Sequence, residues 1–303
     1  MRARHLACVT VAVAVLAALP GAAAQNAART NPPPARYPVR GMVMKVAPTR
    51  TSVTVSHDSV PTLMEAMTMS FDVRSPKELD GVRPGMIVEF TLVLDRQTAY
   101  AEHVQIRPYE SAEQDPMTAR RLKLLAELTA PPASLVKALA TGQPVPDFTL
   151  TDHMRRTVTL SQFRGKVVAL NFIYTSCALP QFCFRIANNF GVIHKRFAAQ
   201  AGKDLVLLTV TFDPARDTPE RLAEYARQWK VSPDAWRFLT GRVADIKRTC
   251  ALFDVDFFPE EGLVTHSAHT AVIDRQGKLV ANIEGNQFTA RQLGDLVETV
   301  LRR

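Results

Sequence analysis

Cysteine is scarce in this chain, with four in 303 residues, and no apolar run beyond Pro20 is long enough to cross a membrane. The fold is therefore expected to rest on hydrophobic burial, and 47% hydrophobic with 22% charged residues is ordinary globular material. No basic stripe interleaved with aromatics is present. The net charge of +8 thus reads as solubility and not as a nucleic-acid surface. Internal repeats are also lacking, because the two halves of the chain differ in class. The length suits two small domains.

What is present begins with an export signal. Arg2 and Arg4 form a basic start, Leu6 to Pro20 an apolar run, and Ala22-Ala23-Ala24 offers small residues for cleavage before Gln25. Residues 1–24 are expected to be removed as a signal peptide, which lowers the charge of +8 by two, to +6. Cys8 precedes the apolar run, which argues against a lipid anchor. The mature chain would keep Cys177, Cys183 and Cys250 in an oxidising, periplasm-like space, peripheral to a membrane at most.

Residues 25–38, with Pro32-Pro33-Pro34, read as a disordered lead. Short alternating stretches over 39–107 (Val53 and Val55, Ile87 to Leu94, Ala101 to Ile106) predict a small all-β barrel. Residues 108–142 read as a linker with a short helix marked by Leu122, Leu125 and Leu128. From 143 to 303 strands and helices alternate. Lys166 to Tyr174 and Asp204 to Phe212 suit buried parallel strands. Thr218-Pro219-Glu220 starts a helix. A hairpin turns at Gly277, and a helix over Gln292 to Leu301 closes the chain. Parallel strands first and an antiparallel hairpin last is a thioredoxin-like order.

Two groups of residues carry chemistry. The first is His57 with Met67-Thr68-Met69. Methionines two apart on a strand share a face. Two thioethers and an imidazole make a soft, low-charge set suited to Cu(I), and a thioether neither needs deprotonation nor forms a disulfide. Methionines also fill core gaps, and the common parity of Met67, Met69 and Phe71 suits that reading as well. Six of nine methionines fall between Met42 and Met86, so the enrichment is local. Of these, Met42, Met44 and Met86 read as core or surface residues.

The second group is Cys177 and Cys183, at a turn from strand to helix where helix amides lower a thiol pKa. A structural disulfide over so short a loop would contribute roughly 2 kcal/mol, which a domain with its own core hardly needs. Paired thiolates suit Cu(I), and an added histidine suits Cu(II) as well. Cys250 repeats with Val243, Ile246 and Phe253 at helical spacing and is expected to be a buried helix residue. His103, His153 and His194 read as surface residues.

Both groups carry a resemblance. His57-Asp58 followed by Glu65-Ala-Met67-Thr-Met69 resembles the CusF-type periplasmic copper-binding domain over about Val39 to Arg107. The resemblance implies a five-stranded OB-like barrel holding Cu(I) through His57, Met67 and Met69. Met64 stands where that family's best-known form has a capping tryptophan. The run from Val145 to Arg303 resembles the Sco/SenC family of thioredoxin-fold proteins that help assemble the copper centre of cytochrome oxidase. Asn171-Phe-Ile-Tyr-Thr-Ser-Cys177, Cys183, Phe212-Asp-Pro-Ala-Arg-Asp-Thr-Pro-Glu220 and His266, eleven residues before Gly277, carry it. It implies Cys177, Cys183 and His266 as copper ligands, Asp213 as a residue supporting them, and a cytochrome c oxidase subunit as the copper-accepting partner. Five residues separate the cysteines, where the family usually has three. General thioredoxin-like reductases carry a proline before the hairpin strand, and Leu263 to Thr270 has none. His269 lies three residues from His266 and, on one regular strand, would point to the opposite face.

These readings converge on a periplasmic copper metallochaperone. The competing expectations are a thiol–disulfide oxidoreductase using Cys177 or Cys183 as nucleophile, a peroxidase, and a copper buffer for resistance.

Overall fold

Strand β1 (Ala35–Val46) runs through the centre of an antiparallel sheet completed by β2 (Ser52–His57), β3 (Thr68–Asp72), β4 (Ile87–Asp95) and β5 (Thr98–Arg107). The computed structural model describes residues 33–95, 98–109, 137–177, 180–230, 232–260 and 263–303. The expected signal peptide and the helix at Leu122, Leu125 and Leu128 lie outside these residues. The sheet order is β3-β2-β1-β4-β5. Its two edges meet where Val73 bridges Ala101. Alternation does the folding here: Val39, Val43, Val53, Val55, Phe71, Val88, Phe90 and Leu92 point inward to one core, and their polar neighbours face out. The chain enters this sheet earlier than expected. Ala35 to Pro38 pair with Leu94 to Thr91, so the last four residues of the stretch read as a disordered lead are strand.

The larger half contributes β6 (Thr149–Asp152), β7 (Thr157–Thr159), β8 (Val167–Ile173), α1 (Arg185–Arg196), β9 (Leu205–Thr211), α2 (Pro219–Arg227) and β10 (Trp236–Thr240). Next come α3 (Val243–Leu252), the pair β11 (Phe257–Glu260) and β12 (Leu263–His266), then β13 (His269–Ile273), β14 (Leu279–Glu284) and α4 (Ala290–Leu301). The main sheet runs β14-β13-β8-β9-β10-β6-β7, with β8 and β9 parallel and β13 antiparallel to β8. A βαβ unit followed by a ββα unit, in the order β9-β8-β13-β14, is the thioredoxin-like arrangement that the sequence order implied. Every residue of β8 and β9 is buried, as continuous apolar runs require. Thr218 caps α2 by accepting from the Arg221 amide, with Pro219 following. Gly277 adopts φ 74° in the hairpin turn, a conformation that costs glycine nothing.

The main sheet separates two cores. Val168, Leu170 and Phe172 of β8 face one that includes Cys183, Phe212, Cys250 and Val264. Val167 and Ala169 face another, packed by α1 and α4. Met42 and Met44 of β1 are fully buried and belong to this second core, so the two halves share hydrophobic packing within one compact unit, Pro34–Arg303. Gly85 (φ 87°) lies at the same contact, where an added Cβ would stand 2.8 Å from the Ala281 Cβ. Two further readings are decided by burial. Cys250 is fully buried on α3, as its spacing required. His153 is 8% exposed and not a surface residue, because its Nδ1 accepts the Phe238 amide hydrogen across the sheet.

Candidate metal-handling sites

The β-half presents its candidate ligands at the end of the β2–β3 ladder. Val55 pairs with Met69 and Ser56 with Thr68, while the His57 amide donates to the Met67 carbonyl at 2.9 Å. Residues opposite one another share a face, so His57, Met67 and Met69 stand on one side of the ladder and Ser56 and Thr68 on the other. His57 is fully buried, with Phe71 edge-on at 5.8 Å between ring centroids. Its Nδ1 donates to the Asp58 carbonyl at 2.6 Å. A carbonyl only accepts, so the lone pair of the neutral ring lies on Nε2, and that buried nitrogen has no hydrogen-bond partner among the described residues. An orphaned imidazole nitrogen on the same ladder face as two thioethers suits a soft cation, which would replace the missing hydrogen bond. Met69 is half-buried and Met67 is 48% exposed, so the thioethers lead from core to solvent. Met64 bridges Val60 and packs on the core of the β-half. Gly41 pairs with His57, and a Cβ there would come within 2.6 Å of the His57 Cα.

In the larger half the chain leaves β8 through Tyr174 and Thr175 and reaches Cys177, then makes a single π-type turn, Pro180–Phe184, before α1. Such a turn widens the helix start and recurs at functional sites. It brings Cys183, 2% exposed, into hydrogen-bonding contact with half-buried Cys177, and both are thiols. The sequence suggested helix amides lowering the thiol pKa. For Cys183 they are outweighed: the hydrogen bond with Cys177, and then burial, push its thiol well above the ordinary value. Burial and the neighbouring Cys177 also push Tyr174 up to about 12. A buried proton-sharing pair loses its second proton most readily to a metal ion.

His266 ends β12, opposite Phe257. Its Nδ1 donates to the Ser267 carbonyl at 3.0 Å, and its ring lies against Phe212 (4.3 Å) and edge-on to Tyr174 (5.9 Å). Burial holds its pKa below the ordinary value, which keeps the imidazole neutral and able to bind a metal. Tyr174 thus touches both Cys177 and His266. Among the described residues, however, no three His, Cys, Asp or Glu side chains already stand close enough to hold a metal ion. The thiols are assembled, and the histidine stands beside them across Tyr174. His269 is separated from His266 by more than strand parity: it opens β13 in the main sheet, whereas His266 closes the two-stranded β11–β12 pair.

Asp213 accepts from the Arg216 guanidinium at 3.0 Å, and its amide donates to the Thr211 hydroxyl. The carboxylate that holds the cysteine turn is Asp217, fully buried, which receives the Thr175 amide at 3.0 Å and the Thr175 and Thr211 hydroxyls. Sequence reasoning missed it. An Asp just before the cap residue Thr218 reads as a helix-start signal and says nothing of the distant strand end it grips.

The geometry defines a thioredoxin-like protein with a dithiol at its first strand–helix turn, joined to a β-sheet domain bearing thioethers and an imidazole. The SCO1/SenC family model matches residues 137–302, more than half of the chain, and the chain belongs to that family. Residues 36–106 match the model described as copper binding periplasmic protein CusF. Copper is the metal named in the description of this second model. The sco1 protein of Schizosaccharomyces pombe is 30% identical over 154 residues, covering 48% of this chain and 56% of that one. The SCO1 protein homolog of Bacillus subtilis is 26% identical over 180 residues, 55% of this chain and 92% of that one. The chain thus spans about half the length of the first of these relatives. The crystal structure of yeast Sco1 with copper bound aligns at 26% identity and a TM-score of 0.45, over 53% of this chain and 89% of that one.

Proposed function

We propose that this protein is a periplasmic copper metallochaperone with copper as its cargo. Cu(I) is held by His57, Met67 and Met69 in the β-half, read as an OB-like barrel, with Met64 at its rim. Copper in the larger half is held by Cys177, Cys183 and His266. The observation that carries the reading is the thiol pair: two sulfurs already in contact, one of them buried, at the mouth of a turn bordered by a neutral histidine. Closure of the β11–β12 pair onto the thiols completes the larger site, while Asp217 keeps the turn in place and Asp213 acts through Arg216. The acceptor is a copper protein, taken to be a cytochrome c oxidase subunit, as the family resemblance implies. Export by residues 1–24 delivers the chain to its compartment. Among the described residues no helix is long and apolar enough to cross a membrane.

Titration of reduced protein with Cu(I) should fill about two sites, one lost in the Cys177→Ala variant and the other in Met67→Ala. X-ray absorption should report sulfur with one nitrogen donor at each, and His266→Ala should remove the nitrogen from the thiol site. Undiminished binding in both single variants would sink the assignment.

A second reading draws on the same contact. A hydrogen-bonded thiol pair is also the resting form of a dithiol reductant, which passes two electrons and two protons to a disulfide and becomes a disulfide itself. Catalytic reduction of a partner disulfide by metal-free protein would favour it.

A further inference from the structure

The thioether site is gripped from outside its own sheet. Ser56, next to His57, donates its hydroxyl hydrogen to Asp295 Oδ2 of α4 at 2.7 Å and accepts from Arg291 Nη1 at 2.8 Å. Thr68, between Met67 and Met69, donates to the same Asp295 oxygen at 2.9 Å. Arg291 Nη2 donates to the His57 carbonyl at 2.8 Å, and Gln292 Nε2 donates to the Ser56 carbonyl and to Asp58. Asp295 is in turn fixed by Arg196, the last residue of α1, whose guanidinium stands 2.7 Å from Oδ1.

We propose that Arg291 and Asp295 are positioning residues for the metal site of the β-half, with Ser56 and Thr68 as the handles through which they act. The proposal rests on the reading of His57, Met67 and Met69 as ligands. Strand alternation divides the work. One face of the β2–β3 ladder carries the three ligands, and the other carries the two hydroxyls that one carboxylate oxygen ties together. The middle residue of Met-Thr-Met is thereby a docking contact and not a spacer. A site of two thioethers and one imidazole has little charge with which to draw its ligands together, so its affinity depends on their being held in place beforehand. Here that holding is supplied by a helix of the other domain. Fully buried Met42 and Met44 keep the helix and the sheet in register.

The test uses the full chain with Cys177→Ser and Cys183→Ser, so that the thiol site is silent. Cu(I) affinity is measured by competition with a chromophoric Cu(I) chelator. Arg291→Ala and the near-isosteric Thr68→Val should each weaken Cu(I) binding by about 10- to 100-fold, the range seen when groups supporting metal ligands are removed. Arg291→Lys should recover part of the loss. Arg302→Ala, at the exposed end of α4, should bind as the parent does. X-ray absorption should show sulfur and nitrogen donors lost or disordered in Thr68→Val while circular dichroism and thermal unfolding match the parent, a pattern that a merely structural role would not give. Parental affinity in both Thr68→Val and Arg291→Ala overturns the proposal and leaves the ligand assignment standing. A parent whose Cu(I) binding is unchanged by His57→Ala overturns the assignment and this proposal together.

Discussion

The two halves offer a soft cation two different kinds of grip. In the β-half the proposed donors are thioethers and an imidazole on a strand pair, graded from buried His57 to half-exposed Met67, and none changes with redox state short of sulfoxide formation. In the larger half they are thiols at a turn, one buried beside the other, whose binding strength depends on proton loss and on oxidation state. The contrast teaches that burial alone does not define such a site. His57 is buried with an idle lone pair ready for a ligand, whereas Cys183 is buried with its proton retained.

The largest effect should come from oxidation. Diamide treatment, which joins Cys177 to Cys183, should lower bound copper from about two ions to about one, and Met67→Ala should lower that remainder to nearly none. Retention of both ions by the oxidised wild type would erase the contrast. Next comes the contact that makes the halves one unit. Gly85→Val places a side chain at a left-handed φ and against Ala281, and should destabilise the protein by about 1–3 kcal/mol in denaturant unfolding. If the halves unfold as one, a single transition shifts; two separated transitions would show that the docking had failed. Thr218→Ala, which removes the cap of α2, should cost about 1 kcal/mol of stability while leaving both copper affinities unaltered.

The smallest effect is an acid one. Burial pushes the Asp295 carboxyl up, but hydrogen bonds from Ser56, Arg196 and Thr68 outweigh it and hold the pKa below the ordinary value. Its contribution is therefore complete above the unfolded pKa of about 3.9 and is lost as pH falls through the lower folded value. Asp295→Asn should flatten the acid limb of the stability curve there. An unchanged limb would mean that the carboxylate adds nothing to docking.

Much of this was legible in the chain, for reasons that are local. The runs at β8 and β9, the Thr218-Pro219 helix start, the Gly277 turn and the helical spacing of Cys250 each depend on neighbours within a few residues. Strand parity likewise put Met67 and Met69 on one face. What escaped the sequence depends on distant partners. Met42 and Met44 read as core or surface residues, and they are core, but nothing in the chain told that the core they enter is packed by the larger half. Asp217 serves a strand end 42 residues away, and His153 accepts from Phe238 85 residues on. The entry of β1 at Ala35 was hidden by prolines that suggest an unpaired chain, yet Pro38 sits in the strand. The standing of His266 beside the thiols and not among them follows from the β11–β12 pairing, which no spacing rule supplies.

Helix α1 sets a distance. It starts just past Cys183, Asn189 touches the Phe288 carbonyl, and its final residue Arg196 meets the carboxylate that secures the β2–β3 ladder. At 1.5 Å of rise per residue, its twelve residues separate the Cys183 end from the Arg196 end by about 18 Å, far beyond one metal–sulfur bond. Two monovalent ions at the proposed sites, so spaced, would repel by only about 0.2 kcal/mol across water, and neither would weaken the other.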